Sequence, residues 1–209
     1  MEKRNKLKKF LKKFWFVVWK DDSLRGWIIS LVFLFIIVKF VFFPLLELST
    51  GTKLPLVIVE SCSMYHEGNM ISNFDNWWED HETKYLHFNI TEKEFREFPL
   101  KKGFNKGDIL FVVGKKPEKL KIGDIIIFNA NYKHPIIHRI VKIEETDSGR
   151  IFSTLGDNNN RQLILEKSIN QEQIIGGAVV RLVPYLGWVK LGFFDMQKPV
   201  SERGLCKSN

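Results

Sequence analysis

The sequence predicts a mostly-β domain that carries a helical insertion and is preceded by one transmembrane helix. Three observations lead there. An apolar run of twenty residues, Trp27 to Leu46, holds Lys39 as its single charge. A series of short β-rich runs bounded by turn residues follows. A polar, aromatic-rich stretch, residues 70–102, lies between the first of those runs and the second.

The apolar run matches the roughly 20 residues that a helix needs to cross a bilayer core. Lys39 lies toward its C-terminal end, where a long stem can snorkel to the interface. Pro44 should kink or end the helix. A cleavable leader is disfavoured by the twenty-six residues before the run and by Glu47-Leu48-Ser49-Thr50, which offers no small-x-small site. Residues 1–26 carry nine Lys or Arg against three acids, a surplus of six within the chain's net +8. Basic flanks stay on the cytoplasmic side, so the expectation is a single pass in the cell membrane, with the N-terminus inside and residues 48–209 outside. Leu7, Phe10, Leu11, Phe14, Trp15 and Val18 recur at helical spacing opposite Lys6, Lys8, Lys9, Lys12 and Lys13, as in a helix lying on an anionic membrane surface. Nucleic-acid binding is not implied, because most of the excess charge belongs to this segment. The expected divisions are therefore 1–26 basic amphipathic segment, 27–47 transmembrane helix and 48–209 outer domain.

Within the outer domain the expected strands are Leu54–Glu60, Ile109–Val113, Ile125–Phe128, Ile136–Ile143, Ile151–Leu155 and Ala178–Val183. Gly107-Asp108 and Gly123-Asp124 open two of them, and these aspartates read as strand-entry turn residues rather than catalytic acids. In residues 70–102, Thr91-Glu92-Lys93-Glu94 is a capping-box signal and Pro99 marks a helix stop. The segment reads as a helical cap inserted into the β domain. Cys62 and Cys206 permit at most one bridge, and compartment cannot be read from them. No H-E-x-x-H or paired-cysteine pattern implies a metal, and no cofactor is implied.

Three short motifs then occur in order: Ser61-Cys62-Ser63-Met64, Ile136-Ile137-His138-Arg139 and Gly156-Asp157-Asn158-Asn159. A serine hydroxyl becomes nucleophilic when a base takes its proton, and a neutral imidazole needs a partner on its other nitrogen. Here the chain resembles the archaeal and endoplasmic-reticulum branch of the type I signal peptidases. The resemblance implies a signal-peptidase-like coiled β-sheet or barrel, and a serine endopeptidase that removes signal peptides from exported proteins. Its implied partners are signal-bearing preproteins, the lipid bilayer and the protein translocation machinery. A related membrane protease with one dedicated client, and a catalytically inactive polypeptide-binding domain, are the alternatives.

The resemblance makes Ser63 the nucleophile and Ser61 an oxyanion-binding group. Strand alternation lets both point the same way, and the Ser63 N–H could add a donor for the oxyanion. The same alternation turns Cys62 away, toward a packing role. His138 is the expected base, with His66 its chief rival, while His81 and His87 are expected to face solvent. Asp157 is the expected orienting acid; its other reading is an Asx-type turn residue. Glu166, eight or nine residues further on, is expected to matter little.

Overall fold

The structure is a computed structural model that describes residues 2–67, 73–130, 132, 134–197, 199 and 203–206. Residues 70–72 of the expected insertion lie outside the described residues. The chain divides into two units, Met1–Ser49 and Thr50–Asn209.

The first unit is helical. Helix α1 spans Glu2–Trp19. Ser23 opens α2 (Leu24–Ile37) by accepting a hydrogen bond from the Gly26 N–H at 3.1 Å. The helix does not end at Pro44. It widens into one π-turn, Val38–Phe42, and continues as α3 (Phe43–Thr50). Pro44 lacks the N–H that would bond four residues back, and the widened turn just before it absorbs that break. The resulting helix, Leu24–Thr50, is long and apolar enough to cross a membrane, with a mean hydropathy of 2.8 and none of its apolar stretch buried.

The second unit is one antiparallel sheet of seven strands: β1 (Leu56–Ile58), β2 (Ile109–Val113), β3 (Ile125–Phe128), β4 (Ile136–Thr146), β5 (Gly149–Leu155), β6 (Ile169–Asn170) and β7 (Ile174–Val183). Their order is β1-β2-β7-β3-β4-β5-β6, curled into a half-barrel. Register shifts in the β2–β7, β3–β7 and β4–β5 pairs bend the strands where one extra residue must be taken up. Asp108 and Asp124 do behave as turn residues: Asp108 accepts the Asn105 and Tyr185 N–H groups, and Asp124 accepts that of Lys121.

β4 sorts the core. Its alternation sends Ile140 into a cluster with Leu120, Ile126, Phe128, Phe152 and Ile169, and sends Val141 to the opposite face. There α4 (Phe74–Leu86) and α5 (Glu92–Glu97) bury Phe74, Trp77, Trp78, Tyr85 and Phe95 against Val141 and Leu155. The capping box forms as expected, with Thr91 and Glu94 bonded reciprocally. Helices α4 and α5 thus form a packed layer over one face of the sheet. A last helix, α6 (Trp188–Asp195), follows β7, and Asp195 accepts from buried Lys106 at 2.5 Å.

Candidate active site

The Ser61–Met64 loop follows edge strand β1, and two glycines let neighbouring backbone close over it. Gly103 has φ 61°, and a Cβ there would fall 2.4 Å from the Met64 carbonyl oxygen. At Gly156 a Cβ would fall 2.8 Å from the Ser63 carbonyl oxygen. The Asn158 N–H donates to that carbonyl at 2.8 Å, and the Asn158 side chain donates to the Cys62 carbonyl at 3.1 Å. Phe104 N–H donates to the Met64 carbonyl at 3.0 Å, and the Met64 side chain is fully buried beside Val59 and Phe104. The Gly156–Asn159 turn therefore acts on Ser63 through backbone bonds.

The two serine hydroxyls lie 3.1 Å apart, and both line a cleft of about 700 Å³. His138 lines the same cleft, whose walls include Leu56 and Ile58 of β1 and Ile136 and Ile137 of β4. No direct Ser63–His138 hydrogen bond is formed. In enzymes without bound substrate, a nucleophile–base bond is commonly long.

Asp157 does not reach His138. Arg139 follows His138 on β4, so its side chain leaves the opposite face of the strand, and Asp157 is on that face. Arg139 grips the Asp157 carboxylate with both Nε (2.9 Å) and Nη2 (2.6 Å). Tyr85 donates its hydroxyl to the same carboxylate at 2.8 Å. Burial alone would raise the Asp157 carboxyl, but the Arg139 guanidinium and the bond from His66 hold it far below the usual carboxylate range. An ionised carboxylate only accepts, so the third contact, from His66 Nε2 at 2.9 Å, carries the imidazole proton. Burial lowers the His66 imidazole, and the ring stacks on Trp77 with centroids 4.2 Å apart. The chief rival base is therefore enclosed in this buried network and does not line the cleft.

The carboxylate on His138 is Glu166. Its Oε1 contacts Nδ1 of the imidazole and accepts from the Thr154 hydroxyl at 3.2 Å, while Oε2 accepts the Leu163 N–H at 2.7 Å. The residue ends a single 3₁₀ turn, Ile164–Glu166, and is fully buried. With Nδ1 held by an acceptor, Nε2 keeps the lone pair that a general base uses. The one signal for Glu166 in the sequence is a carboxylate in an apolar run, Leu163-Ile164-Leu165-Glu166.

The other histidines lie elsewhere. His81 bonds the Trp77 carbonyl at 2.7 Å, half-buried rather than facing solvent, whereas His87 is exposed. His134 lines the cleft, 3.9 Å from Glu60. Cys62 does not merely pack. It forms a disulfide with Cys206, Cα to Cα 5.5 Å, across 144 residues. No metal-ligand cluster of three or more His, Cys, Asp or Glu occurs among the described residues.

Fold and site together define a curled antiparallel sheet presenting a serine pair and a histidine to one cleft, with a buried carboxylate behind the histidine. No protein-family model matches the chain. Known proteins do. The signal peptidase complex catalytic subunit SEC11C of Homo sapiens is 33% identical over 102 residues, covering 46% of this chain and 53% of the relative, and that of Mus musculus matches equally. The subunit SEC11 of Candida albicans SC5314 is 32% identical over 94 residues, covering 42% of this chain and 56% of its own. The chain is thus a homologue of signal peptidase complex catalytic subunits, through a similarity that covers under half of it. It spans about half the length of the curated relatives it matches.

Proposed function

We propose that the protein is a membrane-anchored serine endopeptidase that removes N-terminal signal peptides from exported proteins. Ser63 attacks the scissile carbonyl, His138 Nε2 takes its proton and returns it to the leaving amine, and Glu166 holds the imidazole and stabilises its charged form. Ser61 Oγ and the Ser63 N–H, which has no acceptor among the described residues, stabilise the developing oxyanion. Asp157, the acid expected from sequence, is proposed instead as an anchor that fixes Arg139, His66 and the turn beneath Ser63.

The observation that carries this reading is the shared cleft: Ser63 and His138 line it together, with a buried carboxylate behind the histidine. β1 is an outermost strand of the sheet, so its second edge suits an extended substrate segment added beside Ser63. The disulfide supports an oxidising compartment for the sheet domain. The basic flank of the apolar helix supports a cytoplasmic N-terminus. Exposed Val179, Leu182, Val189 and Phe193 support contact with lipid near the C-terminal helix.

The test incubates detergent-solubilised protein, wild type and Ser63→Ala, with several unrelated signal-bearing precursors and identifies the new N-termini. Cleavage of many precursors after small residues, lost in Ser63→Ala, is the expected result. Cleavage of one precursor alone points to a dedicated client, and none to a binding domain.

A further inference from the structure

A second recess, of about 570 Å³, opens between α4 and the chain that follows the Gly156–Asn159 turn. Lys84, Arg161 and Lys167 line it, with His81 and His87 beside them, and Asp80 is the single acid in its wall. Such a concentration of cations is not a reflection of a basic domain. Residues 1–26 account for six of the chain's eight surplus charges, leaving two for the other 183 residues. Acids are therefore almost as numerous as bases beyond residue 26, yet here they are nearly excluded.

The three cations are also differently held. Neither Arg161 nor Lys167 is ion-paired with a described residue, and both are exposed. Lys84 is half-buried and donates to the carbonyls of Asp157 (2.5 Å) and Asn159 (3.0 Å). An ammonium has three protons, so one remains for a group in the recess. Burial pushes Lys84 down to about 8, against the opposing pull of the nearby Asp157 carboxylate. A guanidinium and two ammonium groups around one concavity suit a tetrahedral oxyanion, which accepts several charge-assisted bonds at once.

We propose that this recess binds a phosphate group, held by Arg161, Lys167 and the remaining proton of Lys84. The ligand would bridge α4 and the segment that leads to Glu166. Binding at this site does not depend on the peptidase reading, since its readout needs no turnover.

The experiment uses the full chain in a neutral detergent at fixed ionic strength, with chloride as the matching salt. Thermal stability is followed against inorganic phosphate and, separately, in nanodiscs of phosphatidylcholine with or without phosphatidylglycerol. Saturable stabilisation by inorganic phosphate identifies a soluble phosphate ligand; stabilisation by phosphatidylglycerol alone identifies a lipid headgroup. Either result supports the proposal if Arg161→Ala/Lys167→Ala weakens binding by about 10²-fold, roughly tenfold per cation. Both substituted side chains are exposed, so the variant's melting without ligand should match wild type. Equal stabilisation of wild type and variant, or no stabilisation by either ligand, overturns it.

Discussion

Glu166 is seated on Nδ1 of His138 although 28 positions separate the two, and Asp157, lying between them in sequence, is not. A single 3₁₀ turn folds Glu166 back under β4, and the Leu163 N–H and Thr154 hydroxyl fix its two oxygens. The pair is closed by local turn geometry rather than by any motif.

Glu166→Gln is therefore expected to cut precursor turnover by about 10³–10⁴, the scale seen when a serine protease loses its orienting carboxylate. The amide oxygen can still accept from Leu163, so the fold should survive and the far-ultraviolet spectrum should be unchanged. Near-normal turnover in this variant would leave His138 oriented by something else.

Asp157→Asn should act on stability. Arg139 is completely buried, and removing its carboxylate partner leaves a charge uncompensated at a cost of about 3–5 kcal/mol. The folded carboxyl sits below its unfolded value, so its contribution is complete above the unfolded pKa of about 3.9 and is lost as pH falls below that. Urea midpoints of wild type should drop steeply in that acid range, and those of Asp157→Asn should already be low and drop less. Equal midpoints for the two proteins at neutral pH would remove the anchoring role.

Reduction should loosen the domain. Closing a loop of this length stabilises by up to about 5 kcal/mol on chain-entropy grounds. Cys62→Ser/Cys206→Ser should melt earlier than wild type, and dithiothreitol should lower wild type alone. A variant that melts with wild type under oxidising conditions would show that the bond is not formed in solution.

Topology has a chemical reading as well. In intact cells Cys62 and Cys206 should resist a membrane-impermeant maleimide until a membrane-impermeant phosphine is added outside, and an engineered Lys3→Cys should resist throughout. Labelling of Lys3→Cys from outside would invert the arrangement.

The strands were legible because each β-rich run is framed by Gly-Asp or similar turn chemistry; Ile109–Val113 and Ile125–Phe128 are found as expected. Two-residue β6 was not, since its pairing with β5 is set by the chain around it rather than by its own composition. The N-terminal half of β7 was also missed: Gly176 and Gly177 weaken the pattern locally, and neighbours β2 and β3 impose it. Ser61, Ser63 and His138 could be singled out only through the resemblance of their motifs to the signal peptidase family, since two serines at a strand end or a histidine in a strand mean little alone. The acid could not, because choosing between Asp157 and Glu166 depends on which face of β4 each meets. The disulfide was equally hidden, since spacing says nothing of whether two Cα atoms lie within bonding reach.

The bridge between Cys62 and Cys206 also imposes an order in time. Synthesis delivers Cys62 before any of β2 to β7, and its partner only after α6. The loop that presents Ser63 is thus among the first parts of the sheet domain to leave the ribosome and the last to be covalently fastened.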